Sequence, residues 1–577
     1  MKKIQTDLKY LSLIWIALAL LLIPTYAHHG HLILDCGREV YYPTQIILGK
    51  VLYKDIFNIY GPFAYMFNAL LFKLFGVNLN VLYAAGIACA GLISSLIYLI
   101  SKRFLPKFLS FSIAIFTVSI GVLNVNLFNF IFPYSYSILY GLLAFLTSVW
   151  LLLKYQSSPE KPLYLYFSCF FAGLCFVNKY EFLPYLAVIL YSIIKIKPVE
   201  WDDNTTRIKP AGKPSNLLKY YYTILALLFI PILCFGTLFL QGLRLEDLKT
   251  SFVLLYKIAN SETLKYFYYT QGVYFTKHTI SLLVVSFLKT AAPLGILLLG
   301  FRAKNEFASF FAVGFSICLM AFLTNPASFA FLPVLIIILS IWNFKSLKEN
   351  QALLILTLSA ILISLKSLWG LATLNYGAFF ISFLLIAAMA LIVDKFKDKN
   401  INLTAVGVFI LVIATTLGMQ NFPALSAKTQ LVKTSRGEIY TDKYIFSATS
   451  ELLNYIKTST KKTDTIAIFP EGLFINFLAD RKSDDYYNSL IPLYTEVFGE
   501  EKLIRHFEKT KPDYIIFNNW DNKDYYFSYI CTDYAVSFCN YIAQNYTEEK
   551  VIDQGFRYLI FKHKRISASA PREHSAE

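Results

Sequence analysis

Apolar stretches of about 20 residues recur along most of the chain, and this feature constrains the fold more than any other. A helix needs roughly 20 apolar residues to cross the hydrocarbon core of a bilayer. Thirteen stretches near that length lie between residues 10 and 420. The predicted spans are 10–27, 79–100, 109–126, 134–153, 163–178, 182–196, 219–241, 278–300, 305–323, 327–343, 350–366, 376–393 and 401–420.

The composition indicates a multispanning membrane protein. Of the 577 residues, 56% are hydrophobic and 16% are charged, and the mean hydropathy is +0.52. A soluble domain has too little interior to bury that much apolar surface. We therefore predict a mainly α-helical, polytopic membrane protein. The formal net charge of +16 comes from short basic clusters between apolar runs, which orient spans in a bilayer, and it does not indicate a nucleic-acid partner.

The basic residues lie on alternate connections, which is the pattern expected when one side faces the cytoplasm. The connections 124–133 and 324–327 contain no Lys or Arg, and the connection 178–181 contains only Lys179. This alternation predicts that the N terminus is inside and the C terminus is outside. The predicted inner set is Lys2, Lys3, Lys9, Lys102, Arg103, Lys107, Lys154, Lys161, Lys195, Lys197, Arg207, Lys209, Lys213, Lys219, Arg302, Lys304, Lys345, Lys348, Lys395, Lys397 and Lys399.

Two predicted exported loops, 28–78 and 242–277, are long, aromatic and charged. Most loops in compact bundles are brief, and long ones often carry function. We therefore expect the functional site to lie in these two loops. Both belong to a predicted membrane domain that comprises residues 1–420. The first apolar segment could instead be a cleaved signal peptide, but it lacks a small-residue cleavage site, so we expect it to be retained.

Residues 421–565 change character and are predicted to form a small exported α/β domain, because short β-rich runs alternate with helical segments. Cys531 and Cys539 lie in this domain, where an oxidising environment would allow a disulfide between them. Residues 566–577 are expected to be a disordered tail. The predicted strands are 465–469, 514–517 and 558–561, and the predicted helices are 442–458 and 499–509.

Asp35 and Glu39 follow the first span together with Arg38. On a helix, positions four apart lie on one side. Two carboxylates beside a cation allow one to act as a general base while the other positions it. The charge pattern alone favours a solvated surface helix with a local ion pair, because surface helices carry such pairs routinely.

The first loop also contains an ordered set of polar, glycine and aromatic residues. The set is Asp35-x-Gly37-Arg38-Glu39, Pro43, Gly49-Lys50-x-Leu52-Tyr53-Lys54-Asp55, Tyr60-Gly61-Pro62 and Asn68. This order resembles the first exported loop of GT-C superfamily membrane glycosyltransferases, and more narrowly of bacterial family 39 enzymes related to dolichyl-phosphate-mannose-protein mannosyltransferases. Further segments similar to this family are Phe132-Pro133-Tyr134, Asn178-Lys179-Tyr180-Glu181, Phe469-Pro470-Glu471-Gly472, 477–481 and Lys511-Pro512-Asp513-Tyr514.

The resemblance implies a polyprenyl-phosphate-linked sugar donor and a lipid, glycan or protein acceptor. It also implies that the protein lies in the inner (plasma) membrane of a bacterium, with membrane lipids as partners. A phosphate leaving group is already anionic, so its departure needs cations, while the acceptor needs a carboxylate base to take its proton. The expected reaction is an inverting displacement through an oxocarbenium-like state. Asp35 is the predicted base and Glu39 the second catalytic acid.

The substrate contacts expected from this resemblance include cations for the phosphate. Lys179 and Lys366 are rare basic residues at outward span ends, where a charge near lipid is costly without a partner, although snorkelling to the headgroups explains them as well. Several relatives carry a second acid in the loop equivalent to 124–133, which has none here. The substitutes considered are Glu39, Asp55, Glu181, Glu246 and Asp247. The predicted substrate-binding residues are Arg38, Lys50, Asp55, Tyr60, Lys179, Glu181 and Lys366.

No metal-ligand set is predicted, and a divalent metal is left open as a cofactor. His28, His29 and His31 beside Asp35 have the composition of a metal site. Because adjacent histidines at a span end point in different directions, we favour an interfacial polar cap.

Two other classes of function compete with an enzyme. A lipid or polysaccharide transporter or flippase would place ionisable residues through the membrane centre, and the sequence shows no such line. A noncatalytic cell-envelope assembly protein would have an exported pocket without convergent acids. The aromatic residues of 266–274 fit lipid or sugar contact and an interfacial belt equally well.

Overall fold

The computed structural model describes residues 2–124, 127–195, 199–201, 208–210, 216–270, 273–398, 401–483 and 486–564. The fold is mainly helical with a small sheet domain near the C terminus, which confirms the predicted fold class. The predicted tail at 566–577 lies outside the described residues.

Each predicted span coincides with a helix. Among the described residues, eight helices are long and apolar enough to cross a membrane, and the remaining predicted spans correspond to shorter helices. The helices up to residue 426 are α1 (Lys2–Leu22), α2 (Cys36–Ile47), α3 (Phe63–Phe75), α4 (Leu79–Ser101), α5 (Lys107–Val122), α6 (Tyr136–Ser157), α7 (Leu163–Phe176), α8 (Leu186–Lys195), α9 (Asn216–Leu240), α10 (Leu245–Asn260), α11 (Glu262–Thr270), α12 (Lys277–Gly300), α13 (Glu306–Leu323), α14 (Leu332–Trp342), α15 (Phe344–Glu349), α16 (Gln351–Ile363), α17 (Gly377–Lys395) and α18 (Leu403–Ser426).

The eight long apolar helices are α1, α4, α6, α9, α12, α13, α17 and α18. The shorter helices at predicted spans are α5, α7, α8, α14 and α16, and a 3-10 helix at Tyr180–Tyr185 leads into α8. A second 3-10 helix lies at Leu365–Ser367, and strands β1 (Val199–Trp201) and β2 (Ile208–Pro210) pair antiparallel.

Contacts between connections show that they alternate between two ends of the helical bundle. At the end with the predicted inner residues, called the basic end here, Asp7 lies 2.8 Å from Lys102 Nζ and 3.0 Å from Lys107 Nζ. At the other end, called the loop end, Thr373 N donates to Pro326 O at 2.9 Å. The predicted exported loops 28–78 and 242–277 lie at the loop end, where they fold into α2 and α3 and into α10 and α11.

The C-terminal part is an α/β unit whose elements match the predicted ones closely. Strands β5 and β6 are buried along their whole length and pair parallel, which is typical of strands covered on both faces. The sheet order is β5-β6-β8-β7, and the β6–β8 and β8–β7 pairs are antiparallel. The strands are β3 (Gln430–Thr434), β4 (Gly437–Thr441), β5 (Ile466–Phe469), β6 (Tyr514–Asn518), β7 (Tyr546–Asp553) and β8 (Arg557–His563), and the helices are α19 (Lys443–Ser459), α20 (Leu473–Ala479), α21 (Pro492–Phe498), α22 (Glu500–Thr510) and α23 (Val536–Asn545), with a 3-10 helix at Lys523–Tyr525.

The sequence left open whether Cys531 pairs with Cys539, and the structure shows that the two form a disulfide. Cys531 lies in the loop before α23, and Cys539 lies in the first turn of that helix. Both cysteines are partly buried and pack against the apolar core between the sheet and the helices that cover it. The disulfide therefore closes a local loop of the C-terminal unit and does not link it to the membrane part.

The C-terminal unit packs directly on the loop end of the bundle. Its β3–β4 hairpin is held by two backbone hydrogen bonds, in which Leu79 N donates to Arg436 O and Tyr440 N donates to Ala27 O, each at 2.9 Å. Helix α20 lies so close to α2 that a Cβ on Gly37 would be 2.5 Å from the backbone nitrogen of Phe474. The part of the first loop from Cys36 to Gln45 is therefore buried under protein.

Candidate functional site

A cavity of about 350 Å³ lies between the loop end of the bundle and the C-terminal unit. We call it the main cavity. Its wall combines side chains from both predicted exported loops, from the segment after α16 and from α21. The polar side chains that matter below are Asp35, Arg38, Tyr60, Tyr134, Lys366 and Tyr376. Helices α10 and α11 supply an apolar part of the wall, which includes Leu255, Ile258 and Phe267.

Arg38 is the centre of the first charged cluster, called the Arg38 cluster. Its Nη2 donates to Asp35 Oδ1 and to Glu471 Oε1, the latter at 2.8 Å. Its Nη1 donates to Tyr494 OH at 3.1 Å and to Tyr134 OH at 3.4 Å. Arg38 is 7% exposed, so these partners replace the water that a buried guanidinium loses. A planar guanidinium suits this arrangement because it can pair with two carboxylates at once.

Glu471 was not predicted as a functional residue. It follows β5, at the carboxyl end of the parallel β5–β6 pair, which is where α/β sheets commonly present functional groups. Its Oε2 accepts a hydrogen bond from Asp35 N at 2.9 Å, and Ser489 Oγ donates to its Oε1 at 2.9 Å. The available signal in the sequence was an acid directly after a buried apolar strand.

Asp35 has the unusual electrostatics expected of a catalytic acid or base. Burial and the negative charge of Glu471 raise its pKa from 3.8 to about 7, against the opposing effect of Arg38 and Lys179. Its side chain is 26% exposed and faces the main cavity. Its backbone φ of 29° lies in a region that residues other than glycine rarely adopt, and such residues cluster at functional sites.

Lys179, Glu181 and Lys366 form a second charged cluster, called the lysine cluster. Glu181 Oε1 lies 2.6 Å from Lys366 Nζ and 3.6 Å from Lys179 Nζ. Lys179 Nζ also donates to Tyr376 OH at 2.8 Å, and Lys366 Nζ lies 3.9 Å from the centre of the Tyr376 ring. Burial raises the pKa of Glu181, but the two lysines outweigh it and lower that pKa to about 2. The cluster therefore carries one net positive charge.

The two lysines differ in their access to the main cavity. The Lys366 side chain is 24% exposed and lines the cavity. The Lys179 side chain is fully buried, with its Nζ 4.5 Å from the centre of the Tyr60 ring. Tyr60 also lines the cavity, and its hydroxyl lies 2.6 Å from Tyr134 OH. The predicted residues Asp35, Arg38, Tyr60, Lys179, Glu181 and Lys366 are thus brought together around one cavity.

Glu39 lies away from the lining of the main cavity. It is fully buried and accepts hydrogen bonds from Tyr136 N at 3.0 Å and Tyr65 OH at 3.2 Å, and burial raises its pKa to about 7. Because Tyr136 is the first residue of α6, Glu39 satisfies a helix N terminus. Helix α2 begins only after Asp35, whose backbone is not helical, so the four-residue spacing does not bring the two acids into one pocket.

Two of the remaining predicted acids, Asp55 and Asp247, accept backbone hydrogen bonds within their own segments. Asp55 Oδ2 accepts from Val51 N at 2.8 Å and closes a turn of the first loop, while Lys50 follows the end of α2. Asp247 Oδ2 accepts from Arg244 N at 2.9 Å at the start of α10. The side chains of Lys50, Asp55, Glu246 and Asp247 are absent from the described lining of the main cavity.

The histidines after the first span make backbone contacts, as expected for a polar cap. His29 Nε2 lies 2.6 Å from Val122 O, and His31 Nδ1 accepts from Ile33 N at 3.2 Å. In the part of the chain that the structure describes, no three His, Cys, Asp or Glu side chains form a metal-binding group. Asp35 and Glu471 both turn toward Arg38, so one guanidinium offsets one of their two negative charges.

No protein-family model and no curated protein matches the chain. Among solved structures, the archaeal oligosaccharyltransferase AglB from Archaeoglobus fulgidus, in complex with an inhibitory peptide and a dolichol-phosphate, is similar at 13% identity, over 89% of this chain and 70% of that chain, with a TM-score of 0.46. ArnT from Cupriavidus metallidurans, bound to undecaprenyl phosphate, is similar at 10% identity over 99% of both chains, with a TM-score of 0.43.

A further structure of the A. fulgidus oligosaccharyltransferase, in complex with Zn and sulfate, is similar at 12% identity, over 88% of this chain and 67% of that chain, with a TM-score of 0.45.

Proposed function

We propose that the protein is an integral-membrane glycosyltransferase that moves a sugar from a polyprenyl-phosphate carrier to an acceptor on the exported side, with inversion at the anomeric carbon. The observation that supports this most is the main cavity, which has the Asp35 carboxylate and the Lys366 ammonium in the same wall. A carboxylate and a cation are the two groups that transfer from a phosphate-linked donor requires.

The proposed reaction is a single displacement. The acceptor oxygen or nitrogen forms a bond to the anomeric carbon while its proton passes to the Asp35 carboxylate. The bond between the anomeric carbon and the phosphate oxygen breaks on the opposite face, and its electron pair leaves with the phosphate. Lys366, with Lys179 behind it, stabilises that anion, so no acid is needed to protonate the leaving group.

The apolar part of the cavity wall supports a lipid-linked donor. Leu255 and Ile258 of α10 and Phe267 of α11 face the same space as the charged groups. Ligand sites that combine a mostly apolar lining with a few polar groups bind amphipathic molecules in a defined orientation. A prenyl chain attached to a phosphate has this chemistry.

The alternative functions have less support. An assembly protein would have a pocket without convergent acids, whereas Asp35 and Glu471 both pair with Arg38. A transporter would need a polar path between the two ends of the bundle, whereas both charged clusters lie at the loop end. The Cys531–Cys539 disulfide supports the exported location of the C-terminal unit, because disulfides persist in oxidising compartments.

The direct test is transfer by the purified full-length protein from a panel of polyprenyl-phosphate sugars, with the product mass measured. We expect Asp35→Asn to lower kcat about 10²- to 10⁴-fold, the usual contribution of a general base. The matched control is Asp553→Asn, since Asp553 is an exposed acid of the C-terminal unit. Full activity of Asp35→Asn would exclude Asp35 as the base, and absence of product from every donor would contradict the proposed function.

Lys366→Gln tests the phosphate contact in the same assay. We expect kcat/KM for the donor to fall about tenfold or more, because charge-assisted bonds to phosphate are stronger than neutral ones. Lys433→Gln is the control, since the Lys433 side chain is 75% exposed at the β3 hairpin. Equal kcat/KM in both variants would remove Lys366 from the donor site.

A further inference from the structure

We propose that Glu471 is a positioning residue of this site, so that the docked C-terminal unit is a working part of the catalytic centre and not a separate module. This inference rests on the proposed glycosyl transfer. It assigns a role to a residue of the soluble unit that holds Arg38 and Asp35 in place.

Glu471 bridges the interface with both oxygens of one carboxylate. Oε1 accepts from Arg38 Nη2 at 2.8 Å, and Oε2 accepts from Asp35 N at 2.9 Å. The first contact orients the cation that pairs with the Asp35 side chain, and the second holds the Asp35 backbone at its positive φ. One carboxylate therefore fixes both the main chain and the charged partner of the proposed base.

Glu471 is itself held by groups of the C-terminal unit. Asn518 Nδ2, at the end of β6, donates to Glu471 O at 2.8 Å. Ser489 Oγ donates to Oε1 at 2.9 Å, and Leu490 N donates to Pro470 O at 2.8 Å. Supporting hydrogen bonds of this kind keep a functional side chain in one orientation. The ends of the parallel strands thus hold Glu471 in place, and Glu471 in turn holds Asp35 and Arg38 of the first loop.

The charge balance of the Arg38 cluster explains how Glu471 acts on Asp35. One guanidinium lies between two carboxylates, so the cluster holds one excess negative charge when both acids are ionised. Two neighbouring carboxylates disfavour each other's ionised form. Replacing Glu471 with Gln removes that repulsion and leaves Arg38 to Asp35 alone, so Asp35 should become a stronger acid and a weaker base.

A chemical titration tests this without any substrate. N,N′-dicyclohexylcarbodiimide modifies protonated, buried carboxyl groups, so labelling of Asp35 in the full-length protein can be followed against pH by peptide mass. We expect a wild-type midpoint near pH 7 and a midpoint lower by about one unit or more in Glu471→Gln. An unchanged midpoint would overturn the inference.

The matched control is Glu451→Gln. Glu451 is also an ion-paired acid of the C-terminal unit, 2.8 Å from Lys550 Nζ, and it lies on α19 away from the main cavity. We expect its variant to keep the wild-type midpoint. A shift of equal size in the Glu451→Gln variant would mean that loss of any ion pair in the C-terminal unit changes the labelling midpoint of Asp35. That result would overturn the role of Glu471.

The Glu471→Asp variant tests the position of the carboxylate separately from its charge. It can be measured even if Glu471→Gln fails to fold. The shorter side chain keeps the charge but cannot span both contacts, so we expect a near wild-type midpoint with kcat lowered about tenfold. Wild-type kcat in Glu471→Asp would contradict a positioning role. If the wild-type protein forms no product from any donor, the proposed function fails, whereas the labelling midpoints still decide whether Glu471 controls Asp35.

Discussion

At the scale of single residues, the site separates two kinds of charge around one cavity. The Arg38 cluster contains two acids and one cation, whereas the lysine cluster contains two cations and one acid. The first cluster is suited to accept a proton, because its excess negative charge favours protonation. The second is suited to bind an anion. Removing one partner of such buried pairs is strongly destabilising, typically by 3–5 kcal/mol.

The proposed base predicts a specific pH dependence. Asp35 has a pKa raised from 3.8 to about 7, so below pH 7 it is mostly protonated and cannot take the acceptor proton. We expect kcat/KM to be constant above this limb and to fall about tenfold per pH unit below it. A pH–rate profile of the wild-type protein measures this limb. A limb near pH 4, the ordinary value for an aspartate, would contradict the assignment.

At the scale of elements, α2 connects the membrane part to the C-terminal unit. Its residues from Cys36 to Gln45 are buried, because α3 lies on one side and α20 on the other. Two glycines permit the close approaches around it. A Cβ on Gly37 would meet the Phe474 backbone, and one on Gly61 would lie 1.9 Å from Val177 O. The second approach places Tyr60 against Lys179.

Gly37→Ala should separate α2 from α20. The new methyl group would lie 2.5 Å from Phe474 N, and overpacking of this kind destabilises by about 1–3 kcal/mol. Because Glu471 lies close to this contact, we also expect a lower kcat. Thermal unfolding in detergent and the transfer assay measure the two effects.

The control for this variant is Gly236→Ala in α9, where nothing lies within 4 Å of the added Cβ. In a helix interior, alanine is favoured over glycine, so this variant should be as stable as the wild-type protein or more so. Equal stability of the Gly37→Ala and Gly236→Ala variants would show that the close approach of α2 and α20 does not contribute to the stability of the protein.

At the scale of the whole molecule, the charged clusters, the main cavity and the C-terminal unit share the loop end of the bundle. The basic connections contact one another at the opposite end, as the Asp7 pairs with Lys102 and Lys107 show. Basic connections favour the cytoplasmic side. The proposed orientation therefore places the site and the C-terminal unit on the exported side.

Single-cysteine labelling tests this orientation. The variant Lys433→Cys, in the exposed β3 hairpin, should react with a membrane-impermeant maleimide in intact bacterial cells. The variant Lys345→Cys, at the basic end, should react only after the membrane is permeabilised. Each is compared with the parent protein, whose native thiols set the background. The reverse pattern would place the C-terminal unit in the cytoplasm.

Much of the element structure could be predicted from the sequence because it depends on local properties. Each predicted span overlaps a helix, and among the described residues eight of these helices are long and apolar enough to cross a membrane. An apolar run favours a helix because its backbone hydrogen bonds are then satisfied within the run. Strands β5, β6 and β8 were predicted for a similar reason, because they contain short apolar runs rich in Ile, Phe and Tyr. The location of Asp35 in a long loop after the first span was predicted from the same hydropathy pattern.

The composition of the site was decided by tertiary structure. Asp35 and Glu471 are 436 positions apart, and Glu181 and Lys366 are 185 apart, so neither pairing leaves a local pattern. Glu39 was expected beside Asp35 on one helix. However, α2 begins at Cys36, so Asp35 lies outside the helix, and the Glu39 side chain contacts the first residue of α6 instead. Hydropathy is a sum over neighbouring residues and can be read along the chain. An ion pair depends on the distance between atoms, which only packing of the loops against the sheet determines.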